Sequence, residues 1–163
     1  MRCLCRLSFV ITCVACLLLA ACTSTVQPSK ASDLVTLISD SSTPVCPATT
    51  VPHVFSDRLL PDGRRVPFTI PQGQVFVVTS FDWVVEGSTQ SNNTVWTAVT
   101  FIGADKNNSV FSGSMADSIG RAAGNVIVPH GVVVRPGTVM CLDVVGGTSD
   151  NFARLHGFLA PDR

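Results

Sequence analysis

The stretch from Gln74 to Val85 reads Gln-Val-Phe-Val-Val-Thr-Ser-Phe-Asp-Trp-Val-Val, and its reading decides the fold. Val75, Val77, Thr79, Phe81, Trp83 and Val85 alternate with Phe76, Val78, Ser80, Asp82 and Val84. Strict period-two spacing of β-branched and aromatic residues, with no glycine or proline inside, is the pattern of a long strand. The first set is apolar nearly throughout, while the second turns polar from Ser80. A strand with one such face has to bury it against a second layer.

Moving toward the C-terminus, Glu86 to Thr94 is rich in Gly, Ser and Asn and reads as a loop. Val95 to Ile102 is a second strand, followed by a turn over 103–108 and a stub at Val110-Phe111. Asn125–Val128, Val132–Val134, Thr138–Val145 and Phe152–Leu159 are further strands. Pro129-His130-Gly131 and Arg135-Pro136-Gly137 supply turns between them. Only Ser114 to Ala123 has helical spacing, through Met115, Ile119 and Ala122, and Gly120 weakens it.

Moving toward the N-terminus, Pro71-Gln72-Gly73 precedes the long strand and Val66–Ile70 is a short one. Leu34–Ile38 belongs to the fold as an edge strand or a helical turn. Pro44, Pro47 and Pro52 crowd Cys46 and exclude helix or central strand there. Seven to nine short antiparallel strands at this spacing predict an all-β sandwich, jelly-roll-like or immunoglobulin-like. The long strands flanking short ones favour the jelly roll. The loops 86–94 and 103–109 are expected near each other at one end, where a rigid scaffold would carry function.

The chain has 163 residues, sufficient for one domain, and 11 basic residues against 11 acidic ones. A nucleic-acid binder would carry a basic surplus to neutralise phosphates, so that class is excluded. Before the β-rich part, Met1 to Arg6 carries two arginines and Leu7 to Ala21 is almost wholly apolar. At 15 residues the run is short for a membrane-spanning helix and suits a signal-peptide core. It ends in Leu19-Ala20-Ala21-Cys22, which resembles the lipobox of bacterial lipoproteins.

That resemblance covers the first 22 residues. It implies cleavage before Cys22 and acylation of its thiol; an ordinary secretory signal or an uncleaved anchor is the alternative. Several acyl chains together hold a protein firmly on a membrane, where one holds it weakly. Thr23 after Cys22 is similar to lipoproteins sorted to the outer membrane. The expected organisation is therefore a signal peptide over 1–21, a lipidated tether over 22–33 and one domain over 34–163. Four cysteines leave with the leader and Cys22 takes lipid, so Cys46 and Cys141 remain in an oxidising compartment. They are expected to pair, free thiols or an intermolecular link being the alternatives.

Recognisable catalytic chemistry is missing. The histidines are His53, His130 and His156, and no HExxH, H-x-H or CxxC occurs, so no metal site and no cofactor are expected. No G-x-S-x-G elbow and no phosphate loop occur. Asp82 and Asp143 sit mid-strand and are expected on solvent faces. The turns from Val128-Pro129-His130-Gly131 to Arg135-Pro136-Gly137 resemble the second motif of cupins. No downstream metal-binding histidine follows and the first cupin motif is absent, so the resemblance supports a jelly-roll turn and argues against cupin metal chemistry.

The two tryptophans divide. Trp83 is expected in the core. Trp96, beside the loop 86–94, is the candidate for exposure, with Asn92 and Asn93 as neighbours in a ligand-binding site. The sequence thus predicts a non-enzymatic, lipid-anchored envelope protein that offers a β-sandwich to a protein or glycan partner. A structural subunit of an envelope assembly is the alternative. An enzyme would need His156, His130 and an aspartate brought together in a cleft.

Overall fold

The computed structural model describes residues 27–40, 46, 53–87, 92–103, 107–146 and 150–163. The leader, Cys22 and most of the proline-rich stretch around Cys46 lie outside the described residues. Nine strands follow in chain order: β1 (Leu34–Asp40), β2 (His53–Leu59), β3 (Arg65–Pro67), β4 (Gln74–Glu86), β5 (Thr94–Ile102), β6 (Asn107–Met115), β7 (Ala122–Val134), β8 (Val139–Val145) and β9 (Asp150–Pro161). They form one antiparallel sheet in the order β6-β5-β8-β2-β1-β9-β4-β7, with β3 paired to β2 alone.

The pairing is nested. β1 lies against β9, β2 against β8, β4 against β7 and β5 against β6. A long hairpin folded on itself in this way is a jelly roll, so the immunoglobulin-like option falls away. Two halves, β1-β9-β4-β7 and β2-β8-β5-β6, face each other. They are not separate sheets, because β1 also pairs with β2 and joins them along one side. At the other side β6 and β7 approach without a ladder, so the sheet curves nearly into a barrel. Leu34–Ile38, expected at an edge, lies in an interior strand.

The β4 alternation breaks at one residue. The register with both neighbours shifts between Val78 and Ser80, which leaves Thr79 as a bulge. Before it, Phe76 and Val78 face the core; after it, Phe81, Trp83 and Val85 do. Val75 and Val77, expected on the face of Trp83, instead form a small outer cluster with Phe158 and Ala160. One inserted residue flips the parity of everything beyond it.

Other elements also depart from expectation. Ser114–Ala123 is no helix: β6 continues to Met115, and Asp117 organises a turn by accepting from the backbone N–H groups of Ile119 and Arg121 at 3.0 and 2.9 Å. Pro129-His130-Gly131 does not separate two strands but forms an unpaired excursion within β7. β2 was not foreseen as a strand, because Asp57 and Arg58 interrupt its apolar pattern.

The strand directions define two ends. One carries the connections after β1, β4, β6 and β8. The opposite one carries those after β2, β5 and β7 together with the chain's C-terminus. The described ends of the loops 86–94 and 103–109 therefore sit at opposite ends of β5, about 30 Å apart at the rise of a nine-residue strand, and not near each other as the sequence suggests. The N-terminal segment enters at the C-terminal end. There Ala31–Asp33 forms a 3-10 turn, and Asp33 accepts from the Ser29 hydroxyl at 2.7 Å. That hydrogen bond holds the Asp33 carboxyl below its usual pKa.

Cys46 and Cys141 form a disulfide, with Cα atoms 5.9 Å apart, and both are buried beside Val54. Among the described residues no helix is long and apolar enough to cross a membrane.

Candidate functional sites on the two outer faces

On the β8-β5-β6 half, Val95, Thr97, Val99 and Phe101 point inward and are buried. The alternate residues, Trp96 among them, point outward. Trp96 is 54% exposed, whereas Trp83 is 1% exposed in the core. In the ladder Trp96 stands opposite Gly113 on β6 and Val145 on β8. Its six-membered ring rests against Gly113: a Cβ added there would meet Trp96 Cε3 at 2.7 Å. Only a residue without a side chain leaves room for that pose.

The indole has company. On β6, Phe111 and Met115 flank Gly113 on the same face and are 67% and 65% exposed; Val145 is 62% exposed. Four large apolar groups thus form one outward patch, which is uncommon on a face with nothing over it. Half-exposed Asp143 stands opposite Ala98, the next outward residue of β5, and the hydroxyls of Thr100 and Ser109 bond each other at 3.0 Å farther along. The face is an apolar platform with polar groups around it.

Asn92 and Asn93 sit at the head of β5. Their backbones extend the hairpin: Asn92 N–H donates to Ala116 O at 3.1 Å, and Asn93 O accepts from Ala116 N–H at 2.8 Å. Asn92 has φ of 64°, a left-handed conformation that asparagine tolerates. Both therefore border the platform at its end, while its centre is Trp96, Phe111, Met115 and Val145. The last three escaped the sequence reading. Ser112-Gly113-Ser114 hides the strand, although Phe111, Gly113 and Met115 do keep period two.

The opposite outer face carries a polar chain. His156 on β9 stands beside Thr36 on β1 and Ser80 on β4. Its Nδ1 is 3.2 Å from Thr36 Oγ1, and its Nε2 is hydrogen-bonded to Asp82 Oδ1. All three side chains are half-buried. Asp82 reaches this face because the Thr79 bulge sets its parity, and the Thr79 hydroxyl donates to His156 O at 3.3 Å. Beside His156 in β9, Arg154 lies over the Phe152 ring, 4.8 Å from its centroid. His130 is exposed in the β7 excursion and does not join them.

Thr36 also lines a groove of about 720 Å³, together with Leu34, Leu59, Leu60, Pro61 and Arg58. Arg58 Nη2 donates to Ser32 O and Leu34 O at 3.1 and 2.7 Å, which fixes the guanidinium there. Among the described residues no three His, Cys, Asp or Glu side chains gather as a metal site would require. No protein-family model, no curated protein and no solved structure matches this chain.

Proposed function

We propose that the protein is a lipid-anchored binding module of the bacterial cell envelope that engages a glycan or protein partner through the Trp96 platform. The observation that carries the reading is the indole resting against Gly113, 54% exposed, in the middle of an exposed apolar patch. A flat aromatic surface bordered by hydroxyl, amide and carboxylate groups suits a ligand with one apolar and one polar side, as a sugar ring has. It equally suits a protein hot spot built on an aromatic anchor.

Polarity of the strands supports the display role. Chain segment 27–33 enters at the end where β1 begins, while Trp96, Met115 and Val145 lie toward the other. With Cys22 acylated and the tether below, the platform faces away from the membrane, and Thr23 after Cys22 supports the outer membrane as that membrane. The alternative, a structural subunit of an envelope assembly, would use the same patch permanently buried in a complex.

Crosslinking pull-down from intact envelopes, in parallel with a glycan array, tests the proposal. Trp96→Ala is expected to lose at least tenfold in partner retention with its unfolding midpoint nearly unchanged, since the indole is exposed. Gly113→Ala, which lifts the ring off the sheet, is expected to weaken retention as well. Retention unaffected by both substitutions overturns the site.

A further inference from the structure

We propose that the chain carries a second, chemically reactive site: Thr36 as an acyl-accepting nucleophile, activated by His156 and Asp82, acting on esters with an apolar acyl group. The inference does not depend on the Trp96 platform, which occupies the other half of the molecule.

Three observations carry it. The first is the chain of contacts itself. A nucleophile within hydrogen-bond reach of a base, with that base oriented by a third group, is the general signature of nucleophilic catalysis. Here Thr36 Oγ1, His156 and Asp82 meet from β1, β9 and β4, although 120 and 74 residues separate the partners in sequence. Asp82 on Nε2 assigns the ring proton to that nitrogen, because a carboxylate only accepts. Nδ1 then presents its lone pair to the Thr36 hydroxyl.

The second is the bulge. Regular pairing through Thr79 would have turned Asp82 inward, and β-bulges are over-represented where a side chain is re-aimed next to an active site. The third is the groove. Thr36 is on its wall, Leu34, Leu59, Leu60 and Pro61 give it an apolar lining, and Arg58 supplies a fixed cation. A positive group beside the reacting carbonyl stabilises the oxyanion as it forms.

The step balances without any further reagent. Thr36 Oγ1 attacks the ester carbonyl carbon and forms a C–O bond while its proton passes to His156 Nδ1. The tetrahedral oxyanion collapses, the bond to the leaving alkoxide breaks, and the alkoxide takes that proton as the alcohol. Water, deprotonated by the same nitrogen, then splits the threonyl ester. It releases the carboxylic acid and restores Thr36.

The test uses the full-length protein purified in detergent, with p-nitrophenyl acetate and butyrate as substrates and a fluorophosphonate as covalent probe. Hydrolysis is expected to fall at least about 100-fold in Thr36→Ala and His156→Ala, with partial activity in Thr36→Ser. The probe is expected on the peptide containing Thr36 and to be absent in His156→Ala. Asp82→Asn, whose fold circular dichroism checks, is expected to lower the rate of both hydrolysis and labelling. His130→Ala serves as the exposed-histidine control and should retain the wild-type rate. Hydrolysis equal in wild type and His156→Ala, or a probe adduct elsewhere than Thr36 in the folded protein, overturns the proposal.

Discussion

Gly157 shows how much a single side chain decides here. It stands opposite Val78 just before the bulge, and a Cβ built on it would lie 2.1 Å from Val77 O. The obstruction is backbone, which cannot rotate away as a side-chain tip can. Gly157→Ala is therefore expected to destabilise the domain by at least about 2 kcal/mol, read from urea unfolding. Gly113 makes the contrast. There the obstruction is the indole of Trp96, which can swing out, so the cost falls on the platform instead of the fold. Trp83 was legible from sequence as a core residue, and Trp96 only as the better candidate of the two for exposure. Phe111 and Met115 were not, because exposure of an apolar residue depends on what the fold leaves uncovered.

At the scale of the element, β4 holds the main lesson. Its length, its ends and its strand character were all legible from Gln74 to Val85. Its inward face was not, because Val75 and Val77 keep the same alternation as Phe81 and Trp83. Val75 to Val78 is apolar on both faces, so periodicity alone could not reveal the bulge. Deleting Thr79 would restore regular pairing and turn either Phe76 and Val78 or Phe81, Trp83 and Val85 out of the core. That deletion is expected to abolish folding, seen as insoluble protein. Thr79→Ala, which keeps the bulge and loses one hydroxyl contact, should cost only about 1 kcal/mol by the same unfolding measurement. The misread segments have one cause in common. In β2, charges at Asp57 and Arg58 mask a strand held by neighbours on both sides, and tertiary pairing overrides local pattern.

For the whole molecule, the disulfide ties the segment between β1 and β2 to β8, across 95 residues of chain. A loop of that size is worth about 4–5 kcal/mol in the chain-entropy account. Reducing agent is expected to lower the thermal midpoint by roughly 10 °C; an unchanged midpoint would show that the cross-link constrains little. The anchor is a separate question, tested at Cys22. Cys22→Ser is expected to leave the protein unprocessed or to release it from the membrane fraction, as envelope fractionation with mass spectrometry would show.

The sequence by itself determined an all-β chain of short antiparallel strands, the two cysteines able to pair, and Trp83 as core. The strands and Trp83 follow from local composition and alternation, and the cysteine pair from counting the cysteines left once the leader and Cys22 are set aside. Only the tertiary structure decided the nested jelly-roll pairing, the joining of two halves into one sheet, and the parity change at Thr79. It alone set Trp96 beside Phe111, Met115 and Val145, and Thr36 beside His156 and Asp82. These depend on strands far apart in the chain becoming neighbours, and strand register is a relation between segments that no one segment encodes.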